Sequence, residues 1–522
     1  MPESRPNDEE TPLLTSFQSG DHTPRPKAAS LIIPIALVAR LAILLPSTTN
    51  FHVFQQFICR QWYFSNAPDR VPPDGRMPQE LCMLPSIQHN YAMLLVAMGI
   101  VDGIIAMAAY PSLGFFASLF GRKPAILAVL TAGLASEVAM ILSNSFDFKF
   151  ELPFLAVWLI TTALSQVPVV VFTTNMYLVD LVSADARTAA LSGLWGWASL
   201  GGALSFTIGG TITTHSNNVL PVYFASAAIW AMALLYMAFV VPESFTRAKR
   251  EELRRQRETR ARETALANPE ATRPRAIVSK LTVIFEPLQQ LKSRRDPITG
   301  KNNYRLLYCA IHIFFAEIGG HYALSTLLII LTALFDYTPQ DVGYFLTTLN
   351  LSNVFILTVM IPIIVKVFRP HYERGRPEVE VDTQVVTAAT DRLNVHLVIV
   401  SWIIEAFAYI LLSYMKTKTT QLAAIILVGC SAGRAPVLRS LVVASVHPLK
   451  QGETLAAIEM VGSVGTFISP LVLGSILTAT ISTWPQLVFC VQAIIVISAA
   501  LILFLVREGD RYQGEEPPTT SL

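Results

Sequence analysis

The chain has 522 residues, of which 52% are hydrophobic and only 15% are charged. A typical soluble domain is about 25% charged, and the mean hydropathy of this chain is +0.48. This composition excludes a disordered chain, a nucleic-acid binder with a basic surface and an ordinary soluble enzyme. It predicts a helical protein that crosses a membrane many times.

Twelve apolar runs in the sequence are long enough to cross, as helices, a hydrocarbon layer roughly 30 Å thick. The first six lie at residues 30–53, 90–113, 124–143, 152–181, 189–213 and 219–241. The last six lie at residues 304–334, 341–367, 394–415, 420–446, 454–480 and 484–506. A long basic segment separates the two groups.

The placement of Lys and Arg predicts the orientation, because cytosolic loops are enriched in these residues. If both termini are cytosolic, 30 of the 39 Lys and Arg residues fall in cytosolic segments, 6 in outer segments and 3 inside spans. We therefore expect cytosolic tails at 1–29 and 508–522, six-helix halves at 30–242 and 304–507, and a cytosolic linker at 243–303.

The linker has two parts with different patterns. It begins with ESFTRAKREELRRQRETRARET, which is typical of a charged surface helix. Its second part places Leu281, Ile284, Phe285 and Leu288 on one face of an amphipathic helix that would lie on the inner leaflet. The alternative is a solvated linker that its charge holds on the cytosolic side.

An internal repeat supports the division into halves, because residues 187–210 overlay residues 451–474 after a shift of 264. Both segments begin in a cytosolic loop and form the fifth span of their half. The matching pairs are Leu191 with Leu455, Gly201 with Gly465, Ser205 with Ser469, and Gly210 with Gly474.

The loop between the second and third spans reads GFFASLFGRKPAIL, beginning at Gly114. It resembles the loop signature of the major facilitator superfamily, and Gly114, Gly121, Arg122 and Lys123 match. Ser118 stands where the signature has an aspartate, so a charge latch between the halves must be weaker or differently built. The resemblance implies an all-α membrane protein with the major facilitator fold, in which 12 transmembrane helices form two pseudo-symmetric six-helix halves around a central site.

Further segments resemble two groups of this superfamily. The end of the fourth span and the start of the fifth are similar to tetracycline-exporter-like carriers and to the proton-coupled folate transporter group, with Asp180, Arg187 and Thr188 matching. The tenth span and the start of the eleventh resemble the folate transporter group at Arg439 and Gly452.

Two departures from the folate transporter pattern argue against folate as the substrate. Trp195 stands where that group has a coupling glutamate, and Glu317 replaces a histidine. The Gly-Pro core of the antiporter signature is also missing from the fifth span. The chain most resembles fungal general-substrate carriers that are related to both groups.

Ionisable residues inside spans are candidates for substrate binding or coupling, because each costs about 2.5–3.5 kcal/mol at the membrane centre. The candidates are Arg40, Asp102, Glu317, His321, Glu405, Arg434 and Arg439. Glu317 and His321 are four residues apart and share a helix face, so they form a proton-acceptor pair or a structural hydrogen-bonded pair, unless His321 faces water. Gly319 and Gly320 beside them predict a bend.

The intramembrane arginines have different expected roles. Arg40 either pairs with Asp102, contacts an anionic substrate or extends toward the interface. We expect Arg434 to face the cavity and Arg439 to form a gate near the cytosolic end. Glu405 is either an ion-pair partner in this region or faces a neighbouring helix.

A group of residues near the cytosolic boundary is expected to form a gate or latch rather than to bind substrate. These residues are Gly114, Gly121, Arg122, Lys123, Asp180, Arg187, Gly452 and Glu459.

Two further features concern the outer side and the destination of the protein. Cys59 and Cys82 fall in an outer loop predicted at residues 54–89, where an oxidising environment favours a disulfide. Glu9, Leu13 and Leu14 fit an acidic dileucine sorting signal, which in a fungus implies the vacuole. The plasma membrane is the alternative.

The favoured function is a secondary active transporter that moves a small organic solute, coupled to protons, across the bilayer by alternating access. We expect a monomer without a cofactor, a metal or a nucleic-acid partner. A membrane-embedded enzyme would need a clustered nucleophile, a metal site or a phosphate-binding loop, and the sequence shows none of these. The second alternative is a transport-inactive nutrient receptor whose linker at 243–303 binds a partner.

Overall fold

The structure is a computed structural model. It describes residues 26–72, 77–146, 151–184, 186–216, 218–267, 286–292, 294–295, 302–335, 337, 339–373, 382–480 and 483–506. These residues are almost entirely helical, apart from a two-residue antiparallel strand pair formed by β1 (Arg294–Arg295) and β2 (Asn302–Asn303). The predicted all-α class is confirmed.

The first part of the chain forms nine described helices. They are α1 (Pro26–Leu44), α2 (Ser47–Asn66), α3 (Pro85–Phe120), α4 (Arg122–Ser145), α5 (Glu151–Ser165), α6 (Val167–Val179), α7 (Arg187–Ser216), α8 (Leu220–Phe239) and α9 (Arg247–Ala267). The last of these covers the predicted charged surface helix.

The second part also forms nine described helices. They are α10 (Arg305–Gly320), α11 (Ala323–Phe335), α12 (Pro339–Phe355), α13 (Ile361–Glu373), α14 (Asp382–Ser413), α15 (Lys418–Cys430), α16 (Arg434–Val443), α17 (Gln451–Thr480) and α18 (Leu487–Ile502). A π-helical turn at Ile356–Met360 joins α12 to α13. Of the predicted amphipathic linker helix, residues 281–285 lie outside the described residues, and Leu288 falls in the short turn Glu286–Leu291.

Within the described residues, ten stretches are long and apolar enough to cross a membrane. They correspond to ten of the twelve predicted runs. The first run contains only a shorter apolar stretch, Ala28–Leu44. The fifth run corresponds to α7, whose many Gly, Ser and Thr residues lower its hydropathy, and it is not among the ten.

Four of the predicted spans are broken within the described residues. The first breaks between α1 and α2 at residues 45–46. The fourth breaks between α5 and α6, just before Pro168, and the tenth breaks between α15 and α16 at residues 431–433. The seventh breaks between α10 and α11, directly after Gly319 and Gly320, so the predicted bend is confirmed. Such breaks are tolerated at membrane depth where the freed backbone lies within protein or lines a cavity.

The predicted outer loop at 54–89 is wrong over its first third, because α2 continues to Asn66. The helix was missed because α2 is apolar on one face only, where Val53, Phe54 and Phe57 are buried. Cys59 lies on this helix, and its sulfur is bonded to that of Cys82 at 2.04 Å.

Two large apolar clusters form the core. One is built from residues between Ile32 and Val241, and the other from residues between Leu291 and Leu503. The first cluster also takes in Val443, Leu455 and Ala456 from α16 and α17. The two parts of the chain therefore pack against each other at this end of the bundle.

The predicted repeat is visible in the helices themselves. Both α7 and α17 are 30 residues long, and they begin and end 264 positions apart. Gly201 lies against the backbone of α1 at Leu37, and its counterpart Gly465 lies against the backbone of α10 at Phe314. In each half, a glycine therefore lets the fifth span approach the first span closely.

These glycines lead to a stability prediction with an internal control. A Cβ atom at Gly201 would fall on the Leu37 carbonyl oxygen and 3.1 Å from the Leu41 nitrogen, whereas a Cβ at Gly193 meets nothing within 4 Å. We expect Gly201→Val to cost about 1–3 kcal/mol through forced helix separation and Gly193→Val to cost much less. Thermal unfolding of the purified variants in detergent measures this, and equal losses would contradict the close contact.

Candidate functional site

A cavity of about 240 Å³ lies inside the bundle between the two parts of the chain. The first part contributes Arg40, Trp195 and Ser199, and the second part contributes the rest of the wall. The polar members of that wall are Asn353, Glu405, Tyr409 and Arg434, and its apolar members include Ala323, Leu324, Leu327, Leu349, Leu357, Leu412, Ile425 and Val428. The cavity therefore has an apolar body with a few convergent polar groups, as ligand sites have.

Glu405 and Arg434 form an ion pair on one wall of this cavity. The Arg434 Nε atom lies 2.8 Å from Glu405 Oε2, and the Tyr409 hydroxyl donates to Glu405 Oε1 at 2.6 Å. Ser431, in the break between α15 and α16, lies 3.2 Å from Oε2 and accepts from Arg434 Nη1 at 2.7 Å. Because both charges are compensated, this wall contributes little net charge to the cavity.

Two residues that were not predicted from the sequence, Trp402 and His312, position Arg434. Trp402 contacts it, and His312 holds Trp402. The Arg434 guanidinium lies 4.8 Å from the centre of the Trp402 ring. The Trp402 indole donates to His312 Nε2 at 3.0 Å, and His312 Nδ1 lies 2.7 Å from the Ala499 carbonyl oxygen. His312 therefore donates from Nδ1, accepts at Nε2 and is neutral. A lone histidine in the apolar run IHIFF was the only available signal.

Arg40, which the first part of the chain contributes to the cavity wall, has no carboxylate partner among the described residues. Its Nη2 atom lies 3.5 Å from Asn350 Oδ1, and its buried Nε atom has no hydrogen-bond partner. The predicted pair with Asp102 is wrong, because Arg40 faces α7 at Gly202 and α12 at Asn350. Asp102 lies on α3, and its side chain interacts instead with Gln166.

A second buried ion pair, between Arg439 and Glu459, lies beside the cavity. The Arg439 Nε and Nη2 atoms donate to the two Glu459 oxygens at 2.6 and 2.9 Å. The guanidinium also lies 5.0 Å from the centre of the Trp195 ring. Glu459 was expected to join Asp180 and Arg187, but the structure pairs it with Arg439. The pair connects α16 and α17 with α7 of the other part of the chain.

Arg122, the first residue of α4, is the centre of a cluster of charged residues. Its Nε atom donates to Asp180 Oδ2 at 2.9 Å, and its backbone N–H donates to Glu243 Oε1 at 2.8 Å. Gly121 allows this approach with a φ of +112°, and Glu243 lies directly against it. Ser118 instead bonds the Phe115 carbonyl at 2.7 Å. Asp180 and Glu243 thus supply the negative charge missing at position 118, and Glu243 was not predicted.

The remaining latch candidates lie around this cluster. The Lys123 Nζ atom donates to the Ala238 carbonyl at 2.8 Å. Gly452 leaves room for Arg122, because a Cβ there would lie 2.8 Å from the Nη atoms of the arginine. Gly114 lies against Ala456 of α17. Glycines on α3 and α17 therefore permit close contact between the two parts of the chain.

Arg187 lies in a separate small cavity of about 180 Å³, together with Asp391, Asn394 and Ser440. The neighbouring Thr188 hydroxyl donates to Asn394 Oδ1 at 3.0 Å and lies 2.8 Å from Ser440 Oγ. These contacts join α7 to α14 and α16. Among the residues that bound this cavity, Arg187 Nε is buried and has no hydrogen-bond partner.

A further buried ion pair was not predicted: Arg305 lies at the first turn of the predicted seventh span, and Asp391 lies just before the predicted ninth span. Arg305 Nη2 donates to Asp391 Oδ1 at 2.6 Å, and Arg305 Nε donates to Ser445 Oγ at 2.7 Å. This contact fixes the starts of α10 and α14 against the end of α16.

Glu317 and His321 are not joined by a hydrogen bond between their side chains. Glu317 packs against Gly462 and Gly465 of α17. The His321 backbone N–H bonds the Glu317 carbonyl at 3.1 Å, and the His321 side chain is exposed. The possible sorting residues Glu9, Leu13 and Leu14 lie outside the described residues.

Comparison with known proteins identifies the family. A sequence model of the Major Facilitator Superfamily matches residues 81–375. The chain belongs to this superfamily. Its members are transporters, so the family predicted from the sequence is confirmed and a membrane-embedded enzyme is excluded.

Two fungal relatives belong to the same superfamily by name. The major facilitator-type transporter psiT1 of Psilocybe cyanescens is 35% identical over 416 residues, which cover 75% of this chain and 86% of psiT1. The MFS-type transporter avaJ of Aspergillus versicolor is 21% identical over 500 residues, which cover 92% of this chain and 91% of avaJ.

Two solved structures show the same fold. The human organic anion transporter MFSD10 superposes with a TM-score of 0.63 at 15% identity, covering 92% of this chain and all of MFSD10. The proton:xylose symporter XylE superposes with a TM-score of 0.58 at 11% identity, covering 92% of this chain and 96% of XylE. The chain is therefore a multi-pass membrane transporter with the major facilitator fold.

The Arg439–Glu459 contact yields a prediction about coupling between two side chains. Glu459→Gln or Arg439→Gln alone leaves a buried charge unpaired and should cost about 3–5 kcal/mol, whereas the double variant should cost much less than the sum. Thermal unfolding in detergent gives the coupling energy. The exposed pair Arg254–Glu258, at 2.9 Å, is the matched control and should couple by less than about 1 kcal/mol. Additive losses at Arg439 and Glu459 would contradict the buried pair.

Proposed function

We propose that this major facilitator is a secondary active transporter that moves a small organic solute by alternating access and couples this movement to protons. The observation that carries the proposal is the cavity of about 240 Å³ whose walls come from both parts of the chain. A site of this kind opens to alternate sides when two halves rock against each other.

We further propose the topology that the sequence predicts. The chain forms 12 spans in two six-helix halves at 30–242 and 304–507, with both termini and the 243–303 linker in the cytosol. The correspondence of α7 and α17 at a shift of 264 residues supports the division into halves. The protein acts as a monomer without nucleic acid, in the vacuolar or plasma membrane.

The contacts between the halves are suited to such a movement. Several of them are polar or glycine-based, as at Thr188 with Asn394 and at Gly114 with Ala456, and they lie beside the apolar contact that Val443 and Leu455 make with the first core cluster. Hydrogen bonds of this type exchange with water at modest net cost. The polar part of this contact can therefore open and close at modest cost.

The cavity chemistry supports an organic anion as the substrate. Arg40 and Trp195 present N–H groups, which only donate hydrogen bonds, and the Arg40 Nε and Trp195 Nε1 atoms are buried without partners. The Glu405–Arg434 pair is compensated, so Arg40 leaves the cavity with a net positive charge. The cavity is smaller than the 300–1,000 Å³ of sites for drug-sized ligands. MFSD10, which shares the fold, is named an organic anion transporter.

Glu317 is the proposed proton carrier. It lies in α10 immediately before the break at Gly319 and Gly320, and it packs against α17 close to the Arg439–Glu459 pair. When this carboxyl group takes up or releases a proton, its charge changes at the contact between α10 and α17. XylE, another protein of this fold, is named a proton symporter.

A solute screen on reconstituted protein tests the function. Purified protein in vesicles with an imposed pH gradient is offered small organic acids, their neutral amides and matched amines. We expect accumulation of one or more acids and its loss on addition of a protonophore. Binding of a solute without any accumulation would instead support a transport-inactive receptor, and preference for amines would contradict the anion proposal.

The Glu317→Gln variant tests the coupling residue. Since glutamine cannot take up a proton, we expect gradient-driven accumulation to disappear while exchange of solute across the vesicle membrane continues. His321→Gln, on the same helix face but exposed, serves as the comparison. Unchanged pH dependence in Glu317→Gln would rule out this assignment.

A further inference from the structure

A second large groove lies outside the transport cavity, between α9 and the end of α3. Its volume is about 520 Å³, and it is lined by Ser118, Leu119, Arg247, Arg250, Glu251, Leu253 and Arg254. None of these residues contributes to the transport cavity. The groove therefore needs an explanation of its own.

The helix α9 is held against α3 in a defined way. Leu253 is buried, so α9 is anchored by an apolar side chain as well as by charges. Arg250 Nη1 donates to the Phe120 carbonyl oxygen at 2.9 Å, at the last residue of α3. This bond fixes the Arg250 guanidinium at the groove and satisfies a carbonyl left free at the helix end.

The groove carries a surplus of positive charge. Three arginines and one glutamate line it. Among the described residues, Arg254 forms an exposed pair with Glu258 at 2.9 Å, and the Arg250 Nε atom is buried without a hydrogen-bond partner. Guanidinium groups with free N–H donors bind phosphate oxygens with matched geometry.

The end of α3 beside the groove carries large, apolar and exposed side chains. The membrane-crossing stretch of α3 ends at Phe120. Phe115, Leu119 and Phe120 are 45%, 44% and 55% exposed, although they are large and hydrophobic. On the proposed topology, the arginines of the groove lie at the level of the lipid headgroups, and the exposed apolar side chains of α3 lie at the level of the acyl chains.

We propose that this groove binds an anionic phospholipid, with its phosphate held by Arg247, Arg250 and Arg254 and its acyl chains against Phe115, Leu119 and Phe120. On the proposed topology the groove faces the cytosolic leaflet, which carries the anionic lipids. The bound lipid would fasten α9 to the end of α3, which is followed directly by Gly121 and Arg122 of the charge cluster. The lipid would thus stabilise the closed state of this end of the bundle.

The test is a titration of the full chain in detergent with phosphatidylserine and, separately, with phosphatidylcholine, with bound lipids counted by native mass spectrometry. The variant Arg247→Gln/Arg250→Gln/Arg254→Gln should bind phosphatidylserine at least about tenfold more weakly, because the charged hydrogen bonds to the phosphate are lost. The matched control Lys249→Gln/Arg255→Gln/Arg262→Gln removes the same charge from the same helix outside the groove, and it should bind like the wild type.

Several outcomes would overturn the proposal. Equal losses in the two triple variants would assign the effect to the overall charge of α9. Equal binding of phosphatidylcholine would remove the role of anionic charge, and competition by inorganic phosphate at equal strength would assign the groove to a free phosphate. If the triple variant does not fold, Arg247→Gln alone replaces it, and wild-type binding by that variant would also count against the proposal. None of these results depends on the transported solute.

Discussion

The buried ion pair between Arg439 and Glu459 is the constraint on which the arrangement around the cavity depends. An unpaired charge at this depth costs several kcal/mol, so α16 and α17 must keep the register that places two donors 2.6 and 2.9 Å from the two carboxylate oxygens. The Arg439 Nη1 atom also donates to the Ala435 carbonyl at 3.1 Å, and Ala435 lines the cavity. Trp195 covers the guanidinium from the other half. One contact therefore links the helix register, the cavity wall and the seam between the halves.

The same requirement for paired charges explains what the cavity offers to a solute. Glu405 compensates the charge of Arg434, and Trp402 holds its guanidinium in place. Arg434 therefore adds little net charge to the cavity. Among the charged residues of the cavity wall, Arg40 is the one without an acidic partner in the described part of the chain. A solute that brings its own negative charge completes the pairing, and its departure leaves Arg40 uncompensated again. If the substrate is an organic anion, as we propose, the loaded and the empty cavity differ in the pairing of Arg40, and this difference can shift the balance between conformations.

The sequence predicted the family, most of the helices and the repeat, because span length, loop charge and glycine spacing are local properties. Of the three alternatives that it left open for Arg40, the pair with Asp102 does not form, because Gly202 and Asn350 become the neighbours of Arg40 when α1, α7 and α12 pack together. It also missed polar residues that leave no local pattern, either at span ends or singly in apolar runs: Glu243, His312, Arg305, Asp391 and Trp402. In each case the packing of distant helices decides the partner, and a single sequence does not contain that information.

Alternating access requires the two parts of the chain to separate and close at the end of the bundle that carries Thr188. The hydroxyl oxygens of Thr188 and Ser440 lie 2.8 Å apart. The most direct measurement is therefore transport by the double variant Thr188→Cys/Ser440→Cys, in which a disulfide can form across this contact. Each single variant and the wild type, treated with the same oxidant and reductant, are the controls. We expect oxidation of the double variant to stop transport of the best solute from the screen, because the cross-link joins the two parts of the chain. Reduction should restore transport. Full transport by a completely cross-linked protein would contradict alternating access at this seam.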